Sequence, residues 1–252
     1  MAQPRPDDGP LLRLLSINVH KGMSAWHRRF VLAELREAVR STGADVVCLQ
    51  EVIGLGGRAP ADVDVPHYEY LADSLWTQYA YGRNAVYPDG HHGNAVLSRF
   101  PIRSWHNHDA SVDDGSEARG LLHCALDTLA FGTVHVVCVH FGLGDAHRRH
   151  QASALARLVA DEVPVGEPLL VAGDFNDWRR KVDPVVRRDC GVVSAFGEVG
   201  DGCPRTFPAR LPLLPLDRIY VRNVAGHRPI RLPGRPWSHL SDHAPLAAEV
   251  GL

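Results

Sequence analysis

Short apolar runs, broken by two amphipathic stretches, follow one another along the chain and predict a mixture of strands and helices. Apolar residues recur at helical spacing over residues 26–40, and this helix is expected to end at Gly43. A second helical pattern covers residues 146–162. The strand-like runs, bounded by turn-forming residues, are more numerous. They lie at residues 11–19, 44–52, 68–75, 94–102, 119–131, 132–142, 168–174, 216–222 and 245–250.

The interspersed strands and helices favour one layered α/β domain, with packed sheets covered by helices. The chain has no fixed repeat and no composition break, so this domain is expected to span residues 11–252. Residues 1–10 are expected to form a flexible tail, and the segment from 175 to about 203 is expected to be irregular. The first residues lack the apolar core of a signal peptide. A cytoplasmic protein that is not integral to a membrane is therefore expected.

Composition supports a globular protein and gives a weak indication about the substrate. The chain has 252 residues, of which 45% are hydrophobic and 22% charged, values that exclude an intrinsically disordered protein. The net charge of −2 excludes a general nucleic-acid-binding surface. From residue 203 onward, however, seven arginines face three acidic residues, a local charge of +4. This distribution favours an anionic substrate, although a solvated basic surface would give the same count.

The five cysteines indicate a reduced protein without a cysteine metal site. They are scattered and form no C-x-x-C pair. Cys48, Cys124 and Cys138 lie inside apolar strand patterns, which predicts buried free thiols.

Six of the predicted strands carry a polar or ionisable residue at one end. Taken singly, each has an ordinary explanation, such as a turn at Asp174 or a surface ion pair at Asp217. Taken together they predict a site, because loops at strand ends in α/β proteins face a common crevice. The residues are Asn18 and His20, Gln50 and Glu51, His140, Asp174 and Asn176, Asp217, and Asp242 and His243.

The residue types at these ends suit hard-cation and proton-transfer chemistry. Oxygen ligands such as Glu51, Asp242 and Asn18 favour Mg²⁺ or Mn²⁺ over zinc. The fifteen histidines invite a zinc interpretation, but no H-E-x-x-H spacing occurs, and the pairs at 91–92 and 147–150 are typical of loop and helix-surface positions. The chain has neither a G-x-S-x-G elbow nor a P-loop, which disfavours a serine hydrolase or an NTPase.

The ordered set of motifs resembles the endonuclease/exonuclease/phosphatase superfamily, the metal-dependent phosphoesterases of the DNase I type. The resemblance covers nearly the whole chain, from residue 11 to residue 250, and implies a four-layer α/β/β/α sandwich. Its two packed sheets would be mixed and mostly antiparallel, with the site at one edge between them. The motifs are SINVHKG, LQEV, GNAVLSR, ARG, VHFGLGDAHRRHQ, VAGDFND, LDRIYV and LSDHAPL.

The resemblance implies a magnesium site. Glu51 matches the family's principal metal ligand, Asn18 a residue near the metal and the phosphate, and Asp242 an acid on the metal side. Some members carry a second acid at the position of His20, so one metal is expected here rather than two. Mn²⁺ would be an alternative to Mg²⁺.

The resemblance also implies catalytic roles. His140 would contact the phosphate and stabilise the transition state, while Asp174 would orient or activate the attacking water with help from Asn176. Asp217 would support His243, which would bind the scissile phosphate. The implied reaction is in-line attack of water on a phosphoester without a covalent enzyme intermediate.

The sequence leaves the substrate open. A phospholipid or a small phosphodiester is favoured by the basic C-terminal third and by the apolar loop at 211–215, which is either packed core or a lip that touches the substrate. A nuclease is the alternative, and a phosphate-binding module without catalysis is a second one; no stable protein partner is inferred. Asp177 matches no family position and is interpreted as structural. Candidate substrate-binding residues are His20, Asn94, Arg119, Arg148, Trp178 and Arg179.

Overall fold

Two six-stranded sheets form the framework of this computed structural model, which describes residues 11–24, 29–56, 65–72, 76–129, 132–197 and 204–252. The first sheet has the strand order β11-β12-β1-β2-β4-β3 and the second the order β5-β6-β7-β8-β10-β9. The first comprises β1 (Leu11–Asn18), β2 (Val46–Gly56), β3 (Gln78–Tyr87), β4 (Gly90–Ser98), β11 (Gly226–Ile230) and β12 (Leu246–Gly251). The second comprises β5 (Ile102–Asp109), β6 (Gly120–Thr128), β7 (Gly132–His140), β8 (Leu169–Asp174), β9 (Val193–Ser194) and β10 (Asp217–Arg222).

Helices cover the outer faces of the sheets. They are α1 (Leu32–Ser41), α2 (His67–Ala72), α3 (Asp145–Glu162), α4 (Asp183–Cys190) and α5 (Trp237–Leu240), with a short 3₁₀ turn at His20–Gly22. No helix in the described part of the chain is long and apolar enough to cross a membrane.

Alternating side chains along the strands build three apolar layers. Residues such as Leu14 of β1 and Val136 of β7 meet in the core between the sheets. Their neighbours turn outward, so that Leu15 of β1 packs with Leu35 of α1, and another layer forms between the second sheet and α3. The period-2 pattern of a strand therefore supplies both faces of each sheet. This is the expected α/β/β/α sandwich, and that prediction is confirmed.

The sheets are mixed, as expected. β1 pairs with β2 and β7 with β8 in parallel, and each of these crossovers contains a helix. The remaining pairings are antiparallel. The carboxyl ends of β1, β7 and β8 carry Asn18, His140 and Asp174, whereas β2 continues past its predicted end at residue 52 to Gly56, so that Glu51 lies inside the strand.

Several predicted elements need correction. The first helix begins at Leu32 rather than at residue 26, since Phe30 bridges to Met23 before the helix starts. The run at 68–75 was predicted as a strand, but its described part, residues 68–72, belongs to helix α2, whose buried residues His67, Leu71 and Ala72 follow helical spacing; residues 73–75 lie outside the described residues. The segment after 175 was expected to be irregular but contains α4.

Other predictions are confirmed or lie outside the described residues. Cys48, Cys124 and Cys138 are buried and free, as predicted. Helix α3 begins one residue before the predicted start at 146 and ends where expected. The predicted tail at residues 1–10 lies outside the described residues.

Candidate active site

Strand register places three candidate side chains in one row across the second sheet. His140 at the end of β7 lies opposite Asp174 at the end of β8, and Asp174 lies opposite Asp217 at the start of β10. In the first sheet, Asn18 at the end of β1 lies opposite Gln50 of β2. The sandwich thus brings residues distant in sequence to one edge, as the strand-end pattern predicted.

Unusual backbone conformations at the end of β8 and in the middle of β2 orient the carboxylates of Asp174 and Glu51. Gly173 has φ +148°, and a Cβ at this position would lie 2.0 Å from the carbonyl oxygen of Val139, so β8 can approach β7 only with glycine before Asp174. Glu51 has φ +55° and sits in a register shift between β2 and β4. A bulge of this kind redirects a side chain, at a cost of about 1–3 kcal/mol for the left-handed conformation.

A buried ion-pair cluster forms the centre of the site. His243 Nδ1 lies 2.8 Å from Asp217 Oδ2, and His243 Nε2 lies 3.7 Å from Asp174 Oδ2. The Nε2 atom of His140 approaches the same Asp174 oxygen to 3.6 Å. All four residues are at least nine-tenths buried. Two carboxylates and two imidazoles are therefore held out of water around one point.

Amide and hydroxyl groups fix the orientation of the cluster. Asn18 Nδ2 donates to Asp174 Oδ2 at 3.3 Å and to Glu51 Oε1 at 3.1 Å, so one amide bridges both acids. The backbone N–H of Asn176 donates to Asp174 Oδ1 at 2.8 Å. Ser241 donates to the carbonyl of Asn18 at 2.6 Å and accepts the N–H of His243, which ties the last loop to β1.

Burial and neighbouring charges shift the pKa values of Asp174, His243 and His140 in different ways. Burial raises the pKa of Asp174 to about 7; Asp217 adds to this rise and His243 opposes it. Burial disfavours the charged imidazole of His243, but Asp217 and Asp174 outweigh it and raise the pKa of His243 to about 10. For His140, burial together with the charge of Arg119 lowers the pKa well below its ordinary value. At neutral pH the site thus combines a charged His243, a neutral His140 and an Asp174 poised to exchange a proton.

A pocket of about 410 Å³ opens onto this cluster. Its polar wall contains the cations Lys21 and Arg119 and the carboxylates Glu51 and Glu117. Apolar residues also line the pocket, and two of them, Leu143 and Trp178, are 80% and 45% exposed. The remaining lining residues are His92, His140, Leu143, Asp174, Asn176, Trp178, Phe207, Leu214, Leu216 and His243. The pocket can therefore accept an anionic group at its base and apolar bulk at its mouth.

Two of the predicted metal-side residues are placed differently from the expectation. The amide of Asn18 donates to carboxylates, and its oxygen accepts the N–H of His20 at 3.0 Å, an orientation that favours a positioning role over a metal ligand. Asp242 lies beside His20, with 3.7 Å between Oδ1 and Nδ1, and neither residue is among those that line the pocket. Glu51 is the predicted metal-side residue that lines it.

The candidate substrate-binding residues divide into two groups. Arg119 and Trp178 line the pocket, and the guanidinium of Arg179 stacks on the Trp178 ring at 4.3 Å. Asn94 is instead buried and donates to the carbonyls of Gly120 and Cys138, which joins the two sheets. Arg148 is 2% exposed, its guanidinium donates to loop carbonyls and to Asp145, and it is not among the residues that line the pocket.

Asp177 has the structural role that was expected of it. It is fully buried, and its carboxylate accepts the backbone N–H groups of Lys181, Val182 and Asp183, which holds the start of α4. For the apolar loop at 211–215, the sequence left packed core and a lip at the substrate as alternatives. Leu211 and Leu213 are 66% and 52% exposed, so this part of the loop is not packed core.

Sequence reasoning missed three polar residues that line the pocket. Lys21 follows His20 in the 3₁₀ turn, with φ +56°, and Glu117 precedes β6. His92, expected in a loop, lies in β4 and is 5% exposed. In the sequence, Lys21 and Glu117 could have been found only through their neighbours, because they lie close to His20 and Arg119, which were already candidate residues.

Comparisons with known proteins agree with this geometry. The Endonuclease/Exonuclease/phosphatase family model matches residues 15–243. The chain is 54% identical over 245 residues to the protein named "Uncharacterized protein YbhP" of Escherichia coli (strain K12), covering 95% of this chain and 96% of that one.

Solved structures share the fold at lower identity. An endonuclease/exonuclease/phosphatase from Beutenbergia cavernae superposes with a TM-score of 0.80 at 20% identity, covering 96% of this chain and 72% of that one. A humanized TDP2 of D. rerio gives a TM-score of 0.69 at 19% identity, covering 96% and 99%. The chain therefore belongs to the endonuclease/exonuclease/phosphatase family, whose members are typically phosphoester hydrolases.

Proposed function

We propose that this protein is a divalent-metal-dependent hydrolase that cleaves a phosphoester by in-line attack of water. The observation that carries the proposal is the buried Asp174–Asp217–His243 cluster, which opens into a pocket with Lys21 and Arg119 on its wall. An anionic phosphate is attracted by these cations, and a carboxylate beside it can take a proton from water.

Asp174 is the residue proposed to orient and deprotonate the water. Its pKa, raised by burial to about 7, lies close to neutral pH. A general base with such a pKa is substantially deprotonated and still basic enough to accept a proton from water. Hydrogen bonds from Asn18 and from the backbone of Asn176 hold its two oxygens in place. Asn176 itself donates to the carbonyl of Phe141 at 2.8 Å, which keeps its backbone fixed beside the base.

The two histidines are proposed to stabilise the charge on the phosphate. His243, held charged by Asp217, presents its Nε2 side to the pocket next to Asp174. His140 is neutral and can donate one hydrogen bond without adding charge. Preorganised donors in a water-poor site act strongly on developing negative charge, and removing one such donor typically costs about 10²–10³ in kcat.

The residues present fit a magnesium ion on the Glu51 side of the site. Glu51 offers a carboxylate to the pocket, and Asp217 and His243 already satisfy one another. Oxygen donors are the ligands that Mg²⁺ prefers, with Mn²⁺ as an alternative. When bound, the ion would supply positive charge to a phosphate oxygen. One metal is proposed, because His20 stands where a second acid would be needed.

The pocket mouth favours a substrate with apolar bulk next to the phosphate. Leu143, Trp178, Phe207 and Leu214 line it, and the exposed Leu211 and Leu213 extend the apolar surface. A phospholipid or a small phosphodiester with an apolar or aromatic group fits this description. The Trp178–Arg179 stack favours a nuclease as the second candidate, since an exposed aromatic with an arginine can bind bases and backbone.

Hydrolysis of bis-p-nitrophenyl phosphate by metal-stripped protein tests the reaction. We expect activity to return with Mg²⁺, and the Mg²⁺ concentration needed for half-maximal rate to rise at least about tenfold in Glu51→Gln. Glu37→Gln, an exposed acid on α1, is the matched control and should behave as wild type. Activity that is independent of metal, or a metal requirement unchanged in Glu51→Gln, contradicts the proposal. Absence of any hydrolysis would favour the phosphate-binding module.

A substrate panel tests the apolar mouth. We expect mixed micelles of a short-chain phospholipid to be hydrolysed with higher kcat/KM than a single-stranded oligonucleotide. Leu213→Ser should lower the rate on micelles but not on soluble bis-p-nitrophenyl phosphate, whereas Leu129→Ser, an exposed leucine away from the pocket, should change neither. A preference for the oligonucleotide would select the nuclease.

A further inference from the structure

A second histidine–carboxylate cluster lies on the outer face of the second sheet, away from the site described above. It consists of His108 of β5, His123 of β6 and Glu162, the last residue of α3. One ligand atom from each lies within 4.8 Å of the others. His123 is paired with Val137, three residues or roughly 10 Å of strand before His140 on β7, and it projects from the opposite face of the sheet.

Two of the distances between donor atoms are close to those of a tetrahedral metal site. Glu162 Oε1 lies 3.2 Å from His108 Nε2, and Glu162 Oε2 lies 3.0 Å from His123 Nδ1. Tetrahedral zinc with bonds of about 2.0–2.1 Å sets neighbouring ligand atoms roughly 3.3–3.4 Å apart. The two distances lie within a few tenths of an ångström of this value, and all three ligand atoms lie within 4.8 Å of one another.

Hydrogen bonds behind His123 orient it as a ligand. His123 Nε2 lies 2.8 Å from His135 Nδ1, and His135 Nε2 lies 2.6 Å from Glu167 Oε2. A relay that donates toward Glu167 leaves the lone pair of His123 Nδ1 directed at Glu162. Metal-binding histidines characteristically bond through their second nitrogen to such a partner, which fixes the tautomer and the ring orientation.

Proton counting shows that something positive is needed between His123 and Glu162. The contacts His123–Glu162, His123–His135 and His135–Glu167 each require one donated hydrogen, but two neutral imidazoles carry two. Without a further positive group, a nitrogen lone pair would face a carboxylate oxygen at 3.0 Å. Either an additional proton or a metal cation at that position satisfies both atoms, and metal titration distinguishes the two.

An open cavity gives the cluster an entry path and a fourth coordination position. The cavity measures about 210 Å³ and is bordered by His108 and Glu162. Asp109, Asp161 and Glu162 line it together with one cation, Arg157, so its charge favours a cationic occupant. The Nε2 atom of His108 is buried and makes no hydrogen bond to the described residues, although Glu162 lies beside it.

We propose that His108 Nε2, His123 Nδ1 and Glu162 bind a transition-metal cation of the zinc type, with the fourth position facing the cavity. Two imidazoles and one carboxylate in tetrahedral spacing suit zinc, whereas magnesium requires an octahedral set of oxygens. Since the ligands come from β5, β6 and α3, the ion cross-links the edge of the sheet to the end of its covering helix. This site is independent of the proposed phosphoester hydrolysis.

Cobalt(II) is the probe, because tetrahedral Co²⁺ absorbs visible light strongly. Chelator-stripped full-length protein is titrated with Co²⁺ in excess Mg²⁺, and the bound Co²⁺ is then displaced with Zn²⁺. We expect one equivalent of tetrahedral absorption that Zn²⁺ abolishes, together with a higher thermal midpoint in Zn²⁺. His108→Asn and Glu162→Gln should each lose both effects. His135→Gln should weaken Co²⁺ binding by about 10–100-fold through loss of ligand orientation.

Two controls make the result decisive. His147→Asn removes another partly exposed histidine, which pairs with Asp114 outside the cluster, and should bind Co²⁺ as wild type does. His108 and Glu162 are themselves partly exposed, so their variants are expected to fold, which circular dichroism without metal checks. Three results would overturn the proposal. They are absorption retained at the wild-type level in His108→Asn and Glu162→Gln, absorption lost in Asp174→Asn instead, and no tetrahedral absorption in the wild-type protein.

Discussion

The two histidine–carboxylate clusters of the second sheet use the same residue types in opposite surroundings. At the edge with the pocket, Asp174, Asp217 and His243 are buried and two carboxylates share one close imidazole. On the outer face, His108 and Glu162 are 23% and 39% exposed at their side chains, and imidazoles outnumber the carboxylate. Residue identity alone therefore does not separate a catalytic cluster from a metal-binding one.

Burial and carboxylate count account for the difference. In the buried cluster, burial raises the pKa of Asp174, and the two carboxylates raise the pKa of His243, which places a proton acceptor beside a charged imidazole. In the other cluster, the hydrogen bonds from His123 through His135 to Glu167 leave the lone pair of His123 Nδ1 directed at Glu162. The first arrangement suits proton transfer and the second suits coordination.

Removal of the charge on Asp174 should give the largest effect. Asp174→Asn keeps the shape but cannot accept the proton of water, and we expect kcat to fall by about 10²–10⁴. Glu162→Gln is the corresponding change in the other cluster and should leave phosphoester hydrolysis unchanged. Steady-state hydrolysis of bis-p-nitrophenyl phosphate measures both. Equal activity in wild type and Asp174→Asn would show that the two clusters do not differ as described.

A histidine that belongs to neither cluster tests the effect of burial alone. His67 is 2% exposed, neither ring nitrogen hydrogen-bonds to the described residues, and burial lowers its pKa from 6.5 to about 4. The unfolded chain therefore takes up this proton at a higher pH than the folded one. Stability is fully present above pH 6.5 and is lost as pH falls toward 4, by up to about 3 kcal/mol.

Urea unfolding of wild type and His67→Leu between pH 7 and pH 4 measures this contribution. The variant lacks the titrating ring, so its stability should fall less steeply with acid. Parallel pH profiles for the two proteins would mean that burial does not depress this histidine.

Gly173, which precedes Asp174, should be needed for the stability of the fold as well as for the orientation of the Asp174 side chain. Gly173→Ala places a methyl group 2.0 Å from the carbonyl oxygen of Val139, at φ +148°, and we expect the free energy of unfolding to fall by at least about 2 kcal/mol. Gly166→Ala, at the other end of β8, meets nothing within 4 Å and serves as the control. Urea denaturation compares them. Equal midpoints would contradict the close approach of β7 and β8.

The smallest expected effect is a shift of a pH profile. His243 is charged below about pH 10 because Asp217 and Asp174 hold its proton, and this charge is lost as pH rises through that value. Asp217→Asn removes one of the two carboxylates. The alkaline limb of kcat/KM should therefore move to lower pH by about one unit or more. An unmoved limb would mean that His243 does not carry the charge required for catalysis.

The apolar patterns of the sequence were sufficient to predict the framework but not its edges. Buried strands such as Leu169–Asp174 have clear apolar runs, and their ends supplied most of the candidate residues. Edge strands carry little such signal: β5 is exposed or half-exposed along its length, and β11 contains Pro229. In the run at 68–75 the tyrosines of Y-E-Y mimicked a strand, although the buried positions follow a helical turn.

For the site, the sequence could identify the residue types but not the directions in which their side chains point. It could not show that Asn18 donates its amide to two acids or that Arg148 turns into its own loop, because both depend on side-chain rotation in the folded chain. Lys21 and Glu117 enter the pocket only through tertiary packing. The roles of Glu51, His140, Asp174, Asn176, Asp217, Asp242 and His243 stay predictions.

Isotope incorporation from H₂¹⁸O tests the central claim of water attack on phosphorus most directly. Wild-type protein with Mg²⁺ is allowed to hydrolyse a phosphodiester in labelled water, and the products are weighed by mass spectrometry. Attack on phosphorus predicts one ¹⁸O in the phosphate product and none in the released alcohol, with label incorporation suppressed in Asp174→Asn. Label in the alcohol, or incorporation that is equal in Asp174→Asn, would contradict the account.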